Sequence, residues 1–127
     1  MKKNILRVLA VIPGLPMLMN GLGFLTDPEQ AAAGLGMDLL DGIGRSTQVG
    51  DFMSFFIGVA VLIFIGAFKA RGQLLYVAAM FIGGAAVGRI IAATAHGAEM
   101  ASQFIIAETV LTLWLCLCAY FLNKTTD

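Results

Sequence analysis

Four stretches of this chain run for about 20 residues with almost no charge, the length of helix needed to cross the hydrocarbon core of a bilayer. They cover about residues 5–25, 52–68, 73–95 and 101–122. The first has no charge between Arg7 and Asp27, and the second none after Asp51. The third carries a single charge, Arg89, and the fourth a single charge, Glu108. Lipid offers the backbone no hydrogen-bond partners, so each stretch has to pair its own N–H and C=O groups as a helix. The sequence therefore predicts an all-α fold, an integral membrane four-helix transmembrane bundle forming one domain over residues 1–127.

Composition excludes the other broad classes. Hydrophobic residues make up 59% of the 127 and charged residues 13%, against roughly 45–50% and 25% in soluble domains. A disordered chain needs the opposite balance. Eight basic and eight acidic residues leave no net charge, and no basic stripe for nucleic acid. Two cysteines, Cys116 and Cys118, are too few for a disulfide scaffold and point to different faces of one helix. They read as inert thiols in apolar surroundings.

Lys2 and Lys3 before an apolar stretch fit the start of a signal peptide. The stretch is long for a signal peptide, so it reads as a retained span. Lys2, Lys3, Arg7, Lys69, Arg71 and Lys124 all fall on one side of the predicted spans. The positive-inside rule then places both termini and the 69–72 turn in the cytoplasm. The loops at 26–50 and 96–100 face outward. In the first of these, Asp27 can cap a helix, Pro28 suits its first position and Gln30 fits a capping box. A short extracytoplasmic helix is expected there, ended by Gly34 or Gly36, followed by an apolar segment on the outer surface.

Polar residues within the spans collect in the outer half. Arg89 and Glu108 lie roughly 9–10 Å inside the outer ends of consecutive antiparallel helices. An arginine in the membrane costs roughly 2.5–3.5 kcal/mol on insertion scales and pairs where it can. A buried Arg89–Glu108 ion pair, with the guanidinium fork on both carboxylate oxygens, is the simplest arrangement. Such a pair either fixes helix register or marks a polar site. Asn20 adds an amide and Asp51 a carboxylate at the outer start of the second span, with Ser54 beside it. Asp51 also reads as a helix N-terminal acid favoured by the macrodipole, and Asn20 as an interhelical hydrogen bond. His96, the only histidine, shares the face of Arg89 if the helix continues two turns. Its spacing to Glu99 is not that of a zinc site, and no metal or cofactor is expected. No residue is assigned a catalytic role.

Gly84 and Gly88 place small residues four apart, a spacing that admits a close helix partner in the same chain, in a second copy or in another membrane protein. Pro13 and Pro16 interrupt the first span, and a kink there widens the bundle toward its outer end. The phenylalanines read as core or lipid-facing residues.

The run Gly88-Arg89-Ile90-Ile91, then Gly97 and Glu108, resembles the pattern of the DUF4345 family of small four-span bacterial membrane proteins of unknown function. Asp27-Pro28 through Gly36, and Arg45 with Gly50, are similar to it as well. The family pattern carries an acidic residue just before the glycine matched by Gly97, whereas Ala95 and His96 stand here. The resemblance implies an inner-membrane protein of this size and supplies no activity or ligand.

Two functional classes follow. In the first, the chain is a binding or accessory module. Its outer polar pocket, built from Asn20, Asp51, Arg89, His96 and Glu108, takes a lipid-like or other small amphiphilic molecule from the bilayer. In the second it is an intramembrane enzyme or oligomeric transporter. Glu108 or His96 then moves protons while Arg89 orients the substrate.

Overall fold

A computed structural model describes residues 2–125. Six helices follow in chain order: α1 (Lys2–Val11), α2 (Gly14–Thr26), α3 (Pro28–Gly34), α4 (Gly42–Phe68), α5 (Gly72–Ala95) and α6 (Ser102–Lys124). No strand occurs among the described residues. The Lys2–Thr26 unit, α4, α5 and α6 are each long and apolar enough to cross a membrane. The protein is an all-α, multi-pass membrane protein built as a four-helix bundle.

The break between α1 and α2 follows from the prolines. Pro13 has no N–H, so the Leu9 carbonyl loses its i+4 donor. The Trp114 indole Nε1 on α6 donates to that carbonyl instead, at 2.9 Å. Pro16 likewise cannot serve Ile12, whose carbonyl accepts from the Leu15 amide at 3.2 Å. Trp114 is therefore tied to α1 by the proline break, a role that its place in an apolar run does not announce.

The short helix forms with the expected cap and opening proline, but without the capping box, because the Asp27 amide donates to the Gly23 carbonyl at 2.8 Å instead of to the Gln30 side chain. Asp27 accepts a hydrogen bond from the Gln30 amide at 3.2 Å, and Pro28 opens the first turn. Gly36 adopts a φ of +76°, the left-handed conformation that ends a helix at least cost in glycine. The Met37 amide then reaches back to Ala32 and the Gly36 amide to Ala33, at 3.0 Å each.

The largest departure from expectation is α4. It begins at Gly42, ten residues before the start anticipated for the second span. At 27 residues it is about 40 Å long, beyond the ~30 Å of a hydrocarbon core. Ser46, Thr47 and Gln48 looked like loop residues, but they have work on this extra helix or face away from the bundle. Gln48 is only 6% exposed. Its side-chain oxygen accepts from the Leu40 amide at 2.9 Å and its nitrogen donates to the Asp38 carbonyl at 3.1 Å. Arg45 donates to the Leu40 carbonyl and pairs with Asp41. One buried amide thus moors the connection between α3 and α4.

The bundle consists of two tight helix pairs. In the first, α2 lies against α4 so closely that a Cβ at Gly21 would stand 2.5 Å from Ile57 Cγ1. In the second, α5 lies against α6, with Gly83 facing Thr112. The start of α5 at Gly72 abuts Ala119 and Asn123 near the end of α6. Lys2 and Leu6 line a shallow groove together with Phe121 and Lys124. Both described ends and the 69–71 turn therefore share one end of the bundle. Near that end α1 packs on both α4 and α6. Beyond the proline break α2 stays with α4 and makes no substantial contact with α6. The core that joins the pairs includes Ile63, Leu75, Ile82, Leu115 and Leu122, each at most 2% exposed. A Cβ at Gly84 or Gly88 would meet nothing within 4 Å, so this small-residue stripe is not a contact inside the chain.

Candidate functional site

Helix geometry brings four of the five expected polar residues to one level. Asn20, Asp51, Arg89 and Glu108 each lie 16 to 18 residues from the end of their span that carries the termini. At 1.5 Å per residue this is roughly 25 Å along each helix. All four line a single cavity of about 530 Å³ set between the two helix pairs, where α2 and α6 part. Asn20 and Asp51 come from the α2/α4 pair, Arg89 and Glu108 from the α5/α6 pair. The rest of the lining is largely apolar and includes Met17, Phe52, Phe55, Ile82 and Leu111.

Arg89 and Glu108 pair across the α5/α6 contact. The guanidinium Nε donates to both carboxylate oxygens, at 2.9 and 3.1 Å. The expected two-pronged fork is therefore not the geometry adopted, and the pair is not buried. The Arg89 side chain is 29% exposed and that of Glu108 15%. The reason is that both face a cavity rather than close packing. Because only Nε is engaged, the two terminal NH₂ groups of Arg89 make no hydrogen bond to the described residues. The guanidinium carbon also sits 4.5 Å from the centre of the Phe104 ring, a cation–π contact. Thr112 donates to the Glu108 backbone carbonyl at 2.7 Å.

Asp51 and Asn20 are exposed, and neither has a hydrogen-bond or ionic partner among the described residues. The expectation that Asp51 is an N-terminal helix acid does not hold. It is the tenth residue of α4, and the macrodipole effect fades after the first turn. His96 does not join the cavity. Helix α5 ends at Ala95, and His96 is its exposed C-cap, with its amide on the Ala92 carbonyl at 3.1 Å. The face-sharing with Arg89 required the helix to continue, and Gly97, at a φ of +69°, turns the chain away. Ser54 lines a neighbouring groove on α4 and α5, and Glu99 and Gln103 are exposed. No three of His, Cys, Asp and Glu come together to hold a metal ion among the described residues.

Sequence reasoning passed over the aromatic residues of the site. Phe104 lies one turn before Glu108, a spacing that could have shown it on the same face. Phe24, Phe52 and Phe56 stack with ring centres 5.3 to 6.4 Å apart, and Phe55 meets Phe56 edge-on at 5.2 Å. Phe52, Phe55 and Phe56 also face the cavity, so these contacts stiffen its wall on the α4 side.

A family model described as a domain of unknown function, DUF4345, matches residues 5–123, nearly the whole chain. No curated protein and no solved structure matches it.

Proposed function

The chain belongs to the DUF4345 family, a domain of unknown function, and we propose from its cavity that it is a binding or accessory module holding one lipid-like or other amphiphilic molecule. The observation that carries this reading is the cavity of about 530 Å³ with apolar walls and four polar side chains at one level. Small-molecule sites are commonly of this size and character, largely apolar with a few placed polar groups. The parting of α2 and α6 supplies a side entrance, through which a tail enters while its head meets the polar groups.

The family resemblance implies a bacterial inner-membrane protein, and the positions of the charges support placing both termini in the cytoplasm. Lys2, Lys3, Arg7, Lys69, Arg71 and Lys124 fall at the end carrying the termini. The cavity then opens in the outer half of the bilayer. In the alternative reading, an enzyme or transporter in which Glu108 or His96 moves protons and Arg89 orients the substrate, the His96 route loses support because His96 is exposed beyond the cavity, whereas Glu108 lines it beside Arg89.

Native mass spectrometry of protein gently released from membranes tests the reading. The wild type should retain one ligand of lipid-like mass. Ala85→Trp, which fills the cavity from α5, should lose it while keeping its helical content. A wild-type protein that carries nothing, or a ligand indifferent to Ala85→Trp, overturns the proposal.

A further inference from the structure

Resting on that reading, the charges around the cavity specify the head of the amphiphile. Arg89 is already neutralised by Glu108, and Asp51 stands unpaired on the opposite wall. The four polar groups therefore sum to one negative charge, counting Arg89 against Glu108 and Asp51. A purely anionic head meets this negative balance, and a purely cationic one leaves the terminal NH₂ groups of Arg89 unused. We propose that the cavity selects a zwitterionic phospholipid whose head carries both a phosphate and a primary ammonium.

The phosphate accepts hydrogen bonds from the two NH₂ groups of Arg89, which suit paired phosphate oxygens. The ammonium donates to Asp51, and Asn20, which lines the same cavity from α2, offers a further donor and acceptor. Charges then alternate across the cavity, from Glu108 to Arg89, phosphate, ammonium and Asp51. No proton transfer or covalent step is involved. Phe104 covers one face of the Arg89 guanidinium, which limits the sweep of this cavity-lining side chain.

The test uses the full chain in nanodiscs of equimolar phosphatidylethanolamine and phosphatidylglycerol with identical acyl chains. Native mass spectrometry reads the retained lipid. Wild-type protein should retain phosphatidylethanolamine about tenfold over phosphatidylglycerol, the ratio that one added ion pair of roughly 1.4 kcal/mol gives. Asp51→Asn removes the charge without changing shape and should bring that ratio close to one. Glu99→Gln, an exposed acid outside the cavity, should leave it unchanged. Soluble phosphoethanolamine at millimolar concentration should not displace the lipid, because it lacks the tail that the apolar walls hold.

Retention without preference, preference for phosphatidylglycerol, or a preference that survives Asp51→Asn overturns the assignment of the head while leaving the amphiphile reading intact. Displacement by phosphoethanolamine overturns the lipid as the source of the head. Retention of no lipid at all overturns both.

Discussion

Arg89 shows how one side chain serves three neighbours at once. Its Nε holds Glu108, its face lies on Phe104, and the residue lines the cavity with its terminal nitrogens unbonded to the described residues. Replacing it by Met leaves the Glu108 carboxylate in a low-dielectric setting without its partner. Arg89→Met should lower stability by about 1–3 kcal/mol, less than for a fully buried pair because both side chains are partly solvated. The double variant Arg89→Met/Glu108→Met should recover most of that loss. Thermal unfolding in detergent, followed by far-ultraviolet circular dichroism, reads both, and a double variant as damaged as the single one contradicts this account. That the two residues would meet was legible in their matched depths. Their partial exposure was not, because it depends on what α2 does on the other side of the cavity. The same limit explains Asp51, whose place in a helix depended on nine upstream residues that look like loop. It explains His96 in reverse, since the stop at Ala95 removed a face the spacing alone allowed.

Elements, rather than residues, create the opening. Pro13 and Pro16 divide the first span, and the half beyond the break follows α4 instead of α6. Gly21 fixes that choice, since only a residue without a Cβ lets α2 come so near Ile57. Restoring both backbone donors with Pro13→Ala/Pro16→Ala should straighten the span and draw α2 toward α6. Spin labels at Leu22→Cys and Gln103→Cys, in a Cys116→Ala/Cys118→Ala background, should report a shorter distance by electron double resonance than in the proline-bearing protein. An unchanged distance means that the α2/α4 packing alone sets the gap. Proline's effect on the first span was predictable from covalent chemistry. The acceptance of its orphaned carbonyl by Trp114, a residue 105 positions away, required the two helices to be side by side.

At the scale of the whole molecule, the basic residues flanking the spans imply an orientation that cysteine labelling can check. In intact cells, Glu99→Cys in a background lacking Cys116 and Cys118 should react with a membrane-impermeant maleimide. Thr125→Cys should react only after the cells are opened. The reverse pattern would invert the topology and place the cavity in the cytoplasmic half. The sequence by itself determined the helical class, the four spans and the depth of the two membrane charges. Each of these follows from local composition: an apolar run must satisfy its own backbone, and a charge within it has a position along that run. Only the tertiary structure decided that α2 parts from α6, that Gln48 moors the connection ahead of a lengthened α4, and that Asn20 and Asp51 share a cavity with Arg89 and Glu108. Those features depend on which helix faces which, and a facing is settled by the summed packing of both partners rather than by either sequence segment alone.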